Sequence, residues 1–255
     1  MDFSGKTILV TGGGTGIGAA TAAVLTGLGA HVIVLGPDQT PLEAIAAQTG
    51  ALAMVGDAAT AMDVQAAIAL ATAQFGGLDG LAACAGGGGM GKLGDTSDVE
   101  WDRAMRITLD TAMVSARECL PSLIARKGSI VLVSSIGGIA APSGAAGYVT
   151  AKAALIGMAR SMANDYGPDV RVNVLCPGLT ATEMGDRVMD GLGAKLGMTR
   201  AQAYAHAMRF APLGRAAAPA EIARTIAFLL SDWSSFITGA AIIADGGQSA
   251  ISAEL

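Results

Sequence analysis

The feature that most constrains this chain is an apolar strand leading into a glycine turn and then an Ala-rich helix, all within the first 28 residues. Lys6-Thr-Ile-Leu-Val10 reads as a short buried strand, Thr11-Gly-Gly-Gly-Thr-Gly-Ile-Gly18 as the turn, and residues 19–28 as the helix. A phosphate-binding loop requires that order. Gly12 permits the tight turn, Gly16 lets backbone approach a pyrophosphate, and Gly18 allows helix and strand to pack closely, with the helix amino end facing the phosphates. Glycine makes up 36 of 255 residues, so the bare GxGxxG spacing would carry little weight. Its position between strand and helix is what points to a nucleotide site.

The same alternation continues along the chain. Strand-like runs fall at 6–11, 31–35, 51–55, 80–83, 129–134, 170–175 and 240–244, with Ala-rich helical stretches between them. Seven strands joined by helical crossovers predict one Rossmann-type, doubly wound α/β domain over residues 1–255, with a parallel sheet covered on both faces. One segment breaks the rhythm. Residues 179–215 form an insertion after the sixth strand, and ligands of open α/β sheets bind beyond the carboxyl ends of strands, so the insertion is expected to act as a substrate lid. Its apolar side chains, among them Met184, Val188, Met189, Leu196, Met208 and Phe210, are expected to favour an apolar or cyclic substrate, with about half of them packing the lid on the body. Its glycines Gly185, Gly191, Gly193 and Gly197 suit hinges, and His206 reads as a solvated surface histidine.

A second constellation lies mid-chain. Tyr148 and Lys152 are four residues apart at the start of a helical stretch, and Ser135 sits thirteen residues upstream of the tyrosine, at the end of an apolar strand. Residues i and i+4 share one helix face, so the Lys152 ammonium is expected to approach the Tyr148 phenol and favour its phenolate. Bringing a tyrosine from ~10 to about 7 takes about 4 kcal/mol, within reach of one close cation and a cationic cofactor ring acting together.

Taken together, Thr11-Gly12 with Gly16-Ile17-Gly18, Asp57 after the third strand, Ala85-Gly86 after the fourth, Ser135, Tyr148, Lys152, Pro177-Gly178 and Asp245-Gly246-Gly247 resemble the short-chain dehydrogenase/reductase family in its form of about 250 residues. The resemblance implies an oxidoreductase that interconverts a secondary alcohol and a ketone, with Tyr148 exchanging a proton with the substrate oxygen and Ser135 donating a hydrogen bond to it. It further implies that Lys152 binds the nicotinamide ribose, that Asp57 and Ala58 contact the adenine, and that Thr182 contacts the nicotinamide, with Thr15, Ile17, Ala85, Gly86, Pro177, Gly178 and Thr180 completing the dinucleotide site. Residues 98–124 and 147–166 correspond to the helices that form a four-helix interface in relatives, so a homotetramer is expected.

Two positions depart from the family pattern. Thr108 stands where an asparagine usually completes the proton relay; it keeps the backbone carbonyl, but a β-branched side chain is expected to tighten the local kink. Ala83-Cys84-Ala85-Gly86 replaces the usual Asn-Asn-Ala-Gly, and the four glycines Gly86 to Gly89 predict a mobile loop.

Cofactor choice turns on the second strand. NAD enzymes of this fold place a carboxylate at its end, whereas NADP enzymes supply Arg or Lys there or before the second loop glycine. Gly36 occupies the usual acid position, Asp38 follows two residues on, and Thr15 precedes Gly16, so no cation is present and NAD is expected over NADP. An NADPH-dependent 3-ketoacyl thioester reductase, which would call for those cations, is the alternative within the enzyme class; a catalytically impaired nucleotide-binding relative is the alternative outside it. A net charge of −5 offers no basic patch for nucleic acid, no apolar run approaches membrane-spanning length, and the opening residues lack a signal-peptide pattern, so a cytoplasmic protein is expected. Cys84, Cys119 and Cys176 show no metal spacing and are expected to be reduced core thiols.

Overall fold

A computed structural model describes residues 1–250 of the chain. Seven parallel strands form one sheet in the order β3-β2-β1-β4-β5-β6-β7. They are β1 (Thr7–Thr11), β2 (His31–Gly36), β3 (Leu52–Val55), β4 (Gly80–Ala83), β5 (Ser129–Val133), β6 (Arg171–Pro177) and β7 (Ala241–Ala244). Each expected run supplies one strand, with ends moved by a residue or two. β1, β4 and β5 are buried at every position, as strands covered on both faces must be.

Side chains alternate between two cores along these strands. Leu9, Ile33, Leu35, Leu81, Ile130, Leu132 and Val174 face one layer, where α3 (Ala61–Phe75), α5 (Thr111–Arg126) and α6 (Ala146–Tyr166) contribute Val64, Ala67, Leu123, Leu155 and Ala159. Ile8, Val10, Val32, Val34, Val131 and Leu175 face the other, against Ala22 and Leu25 of α1 (Gly16–Gly27), Leu42 of α2 (Gln39–Thr49) and Ile222, Ile226 and Leu229 of α9 (Pro219–Leu230). Truncating one of the fully enclosed leucines to alanine costs on the order of 2–5 kcal/mol in such cores. Among the described residues, no helix is long and apolar enough to cross a membrane.

The helical stretch expected at 98–124 is divided. α4 (Asp98–Met105) opens on a capping box in which the Ser97 hydroxyl accepts from the Glu100 amide and the Glu100 carboxylate accepts from the Ser97 amide. A single π-type turn, Arg106–Asp110, then joins it to α5 and places Thr108 inside the protein. Between β6 and α9 the chain forms two helices, α7 (Glu183–Leu196) and α8 (Arg200–Ala207). Arg200 clasps them by pairing with Asp190 at 2.7 Å and Asp186 at 3.2 Å.

The strand order reverses between β1 and β4, so their carboxyl ends diverge into separate loops and leave a crevice. The glycine loop leaves β1 on one side of it, and Ala85 leaves β4 on the other, its amide donating to the Thr11 hydroxyl at 3.3 Å.

Candidate active site

A cleft of about 670 Å³ opens at this switch point. Gly12, Thr15, Gly16, Ile17 and Gly18 line it, as do Ala85 and Gly86, Ser135, Tyr148, Lys152, Pro177, Gly178, Thr180 and Thr182. Residues from five stretches of sequence thus converge on one space.

The glycines serve distinct purposes. A Cβ on Gly18 would lie 2.1 Å from the Gly12 carbonyl oxygen, so helix and loop could not approach as they do. Gly12 (φ 64°) and Gly16 (φ 55°) both adopt left-handed backbone that side chains disfavour. α1 begins at Gly16 with no side-chain cap from Thr15 and no acidic residue in its first turn. Its leading amides, on residues that line the cleft, are therefore left to bind an anion, which fits the pyrophosphate of a dinucleotide.

Ser135 follows β5, and its hydroxyl accepts from the Gly137 amide at 3.0 Å, which turns the chain into a short 3-10 segment. A Cβ on Gly137 would stand 3.1 Å from the Tyr148 ring and 3.4 Å from the Ser135 hydroxyl, so the serine and tyrosine face each other across this glycine. Burial pushes the Tyr148 phenol above its ordinary pKa, against an opposing hydrogen bond with Ser135. The expected lowering needs Lys152 and a cationic cofactor ring together; Lys152 alone does not outweigh burial.

Lys152 explains the difference. Its ammonium donates to the Val133 carbonyl at 2.8 Å and lies 5.9 Å from the centre of the Tyr148 ring. The shared helix face brings the two side chains together as expected, but the carbonyl at the end of β5 takes the ammonium. Burial lowers the Lys152 pKa to about 8. The Ser134 hydroxyl fixes this turn of α6 by donating to the Lys152 carbonyl at 2.7 Å.

Thr108 is fully enclosed. Its hydroxyl accepts from the Gly87 amide at 3.2 Å and donates to the Gly87 carbonyl at 3.4 Å. Thr108 thus bonds the Gly86–Gly89 segment, and the segment's glycines allow close contact. A Cβ on Gly87 would meet Met184 at 2.3 Å, and one on Gly89 would meet the Tyr148 amide at 2.7 Å. The Tyr148 amide itself donates to the Gly89 carbonyl at 3.0 Å, tying the loop to the start of α6.

Some expected residues lie away from the cleft walls. Asp38 is exposed ahead of α2 and makes no side-chain cap. Asp57 pairs with Arg106 and accepts from the Ala59 amide at 2.8 Å, while Ala58 is buried with its carbonyl receiving the Ser115 hydroxyl at 3.3 Å. Cys119 and Cys176 are core thiols, but Cys84 is half-buried on the cleft wall, and burial pushes its pKa up to about 12. Of the insertion's glycines, two are tightly packed, since a Cβ on Gly185 would stand 2.9 Å from the Tyr204 hydroxyl and one on Gly193 would stand 2.5 Å from the Met198 carbonyl oxygen; Gly191 has open space around it, and Gly197 (φ 67°) ends α7. Met189 and Met208 are buried, whereas Met184, Val188, Leu196 and Phe210 are exposed.

The sequence reading did not single out Met90, Ile136, Pro142, Arg187 or Gln248, all of which line the cleft. Gln248 follows the Asp245-Gly-Gly turn and accepts from the Leu179 amide at 3.2 Å. That turn was the available signal for it.

The family described as Enoyl-(Acyl carrier protein) reductase matches residues 12–249. Protein MoaE of Klebsiella aerogenes is 40% identical over 248 residues, covering 96% of each chain. 2-(S)-hydroxypropyl-CoM dehydrogenase 3 of Xanthobacter autotrophicus (strain ATCC BAA-1158 / Py2) is 38% identical, covering 96% of this chain and 97% of its own. Levodione reductase superposes with a TM-score of 0.92 at 30% identity, over 98% of this chain and 100% of that one. L-Sorbose reductase from Gluconobacter frateurii, solved with NADPH and L-sorbose, gives 0.91 at 28% identity over 99% of both chains. With these matches over nearly its whole length, and with the glycine loop, serine, tyrosine and lysine on a seven-stranded parallel sheet, the chain belongs to the short-chain dehydrogenase/reductase family in its form of about 250 residues.

Proposed function

We propose that this oxidoreductase interconverts an apolar, cyclic or bulky secondary alcohol and its ketone, with NAD as the preferred hydride carrier. The observation that carries the reading is that Ser135, Tyr148 and Lys152 line the same cleft as the glycine loop. Bound dinucleotide supplies the carbon that accepts or returns the hydride. Tyr148 exchanges the proton with the substrate oxygen, and Ser135 donates a hydrogen bond to that oxygen, holding it as charge develops. Lys152 holds the nicotinamide ribose and keeps a positive charge beside a phenol that burial otherwise disfavours as an anion.

The apolar preference is supported by the apolar residues that line the cleft with Tyr148: Met90, Ile136, Ala140, Pro142, Met184 and Val188. A polyol there would lose hydration without regaining partners. The NAD preference is supported by the absence of Arg or Lys at Gly36 and Thr15. A second reading, NADPH-dependent reduction of a 3-ketoacyl thioester, draws on the acyl-carrier description of the matched family and on the NADPH bound to the sorbose reductase. It lacks a phosphate partner at those positions. The helices α7 and α8 serve as the lid over the substrate, the active form is a homotetramer, and the location is cytoplasmic.

Steady-state kinetics test the reading. kcat/KM for a hydrophobic cyclic alcohol is expected to exceed that for a polyol of similar size, and NAD is expected to outperform NADP with it. Preference for the polyol would overturn the substrate class, and turnover of a 3-ketoacyl thioester with NADPH above all alcohols would favour the second reading.

A further inference from the structure

Among the described residues, two charged side chains besides Lys152 line the cleft: Glu183 and Arg187, one turn apart on α7. The other acids of this helix, Asp186 and Asp190, are already paired. Arg200 takes Asp190 through two nitrogens at 2.7 Å and Asp186 at 3.2 Å, and the Tyr204 hydroxyl donates to Asp186 at 3.0 Å. Among the described residues, the exposed Arg187 guanidinium has no hydrogen-bond or ion-pair partner. It is a cation aimed at a cavity with no anion assigned to it.

Geometry suggests where that anion sits. Helical side chains lean toward the amino end of their helix, so Arg187 reaches back over the Glu183–Met184 turn toward Thr182. Thr182 in turn lies against the glycine loop, its Cγ2 3.3 Å from where a Cβ on Gly16 would be. The loop and α1 contain no Lys or Arg, and the Lys152 ammonium is already held by the Val133 carbonyl. A pyrophosphate bound by the loop amides would therefore meet no charge-compensating side chain from that side, and would face the Glu183 carboxylate on the other.

We propose that Arg187 is the lid's pyrophosphate ligand: it donates to the dinucleotide's phosphate oxygens from above, offsets Glu183, and so ties cofactor binding to the seating of α7 over the cleft. The assignment rests on the dinucleotide reading given above. Charge-assisted donation to phosphate is among the stronger hydrogen bonds, and arginine's fork suits it.

Titration calorimetry with NAD and with ADP-ribose, which keeps the pyrophosphate and lacks nicotinamide, separates the possibilities. Arg187→Met is expected to weaken both ligands by roughly tenfold without changing the melting temperature of the free protein. Arg187→Lys is expected to recover part of the loss, and Glu183→Gln to tighten both ligands a few fold. Raising salt should weaken the wild type more than Arg187→Met. Affinities for NAD and ADP-ribose unchanged in Arg187→Met would overturn the assignment. If they were unchanged while KM rose for a hydroxy acid and not for a neutral alcohol, the anion would belong to the substrate, and the proposal would be wrong. A wild type that binds neither NAD nor NADP would overturn the dinucleotide reading itself, and this assignment with it.

Discussion

The Lys152 ammonium donates to the Val133 carbonyl at 2.8 Å, and this bond ties the second turn of α6 to the end of strand β5. The side chain is only 5% exposed, so the site holds a buried cation at a cost. A fall from 10.5 to about 8 corresponds to about 3 kcal/mol against the charged form. Below pH 8 both folded and unfolded chains hold this proton; between about 8 and 10.5 the unfolded chain holds it and the folded chain has released it, so stability rises with pH across that window. Lys152→Met is therefore expected to be inactive yet to melt higher than the wild type at pH 7, and the difference should shrink between pH 8 and 10. Thermal denaturation at several pH values checks this; a mutant that melts lower at pH 7 would show that the Val133 hydrogen bond outweighs desolvation.

Gly87 and Met184 are in contact across the cleft, and the Thr108 hydroxyl holds Gly87 in position. A methyl group on Gly87 cannot coexist with the present Met184 position, and its φ of 142° adds strain. Gly87→Ala should push the methionine tip into the cleft, raising KM for a bulky cyclic alcohol several fold with little change for a small one. Adding Met184→Ala should restore most of the loss. Equal effects on both substrates would place Met184 outside the substrate space.

Cofactor preference is open to a direct substitution. A Cβ on Gly36 would make only ordinary contacts with Leu42, at 3.6 Å and beyond, so the backbone there admits a side chain's first atom. Gly36→Arg is expected to narrow or reverse the NAD:NADP ratio of kcat/KM by giving the 2′-phosphate a partner, and Thr15→Arg to act in the same direction. A wild type that already prefers NADP would contradict the reading of this turn.

Assembly is tested on α6. Gly157 and Ala153 are exposed on one face of that helix, and a Cβ on Gly157 would meet nothing within 4 Å. Arginine at 157 should leave the subunit's fold intact, since it is the better helix former. Sedimentation is expected to give a homotetramer for the wild type and a smaller species for Gly157→Arg. A monomeric wild type at micromolar concentration would refute the four-helix interface.

Much of this was legible in the sequence because it depends on spacing. Continuous apolar runs mark strands buried on both faces, and the i, i+4 pair Tyr148 and Lys152 shares a helix face in any packing. The glycine loop was legible through its flanking strand and helix. What escaped depends on contacts across the chain. No local signal says that the Val133 carbonyl takes the Lys152 ammonium, or that Ile107-Thr-Leu109 forms a π-type turn without Gly or Pro. Gly86 to Gly89 and Gly185 look alike as flexible residues, yet each is small because something packs against it. Arg187 escaped because its facing the cleft depends on how α7 docks on the body, which no local pattern states.

The most direct test of the account is single-turnover hydride transfer in Tyr148→Phe, measured with NAD affinity on the same protein. The substitution removes only the hydroxyl that exchanges the proton, so NAD should bind within a few fold of wild type while hydride transfer slows by roughly 10²–10⁴-fold. Hydride transfer at a rate comparable to wild type would contradict the assignment of Tyr148 as the acid/base, and with it the proposed chemistry of this cleft.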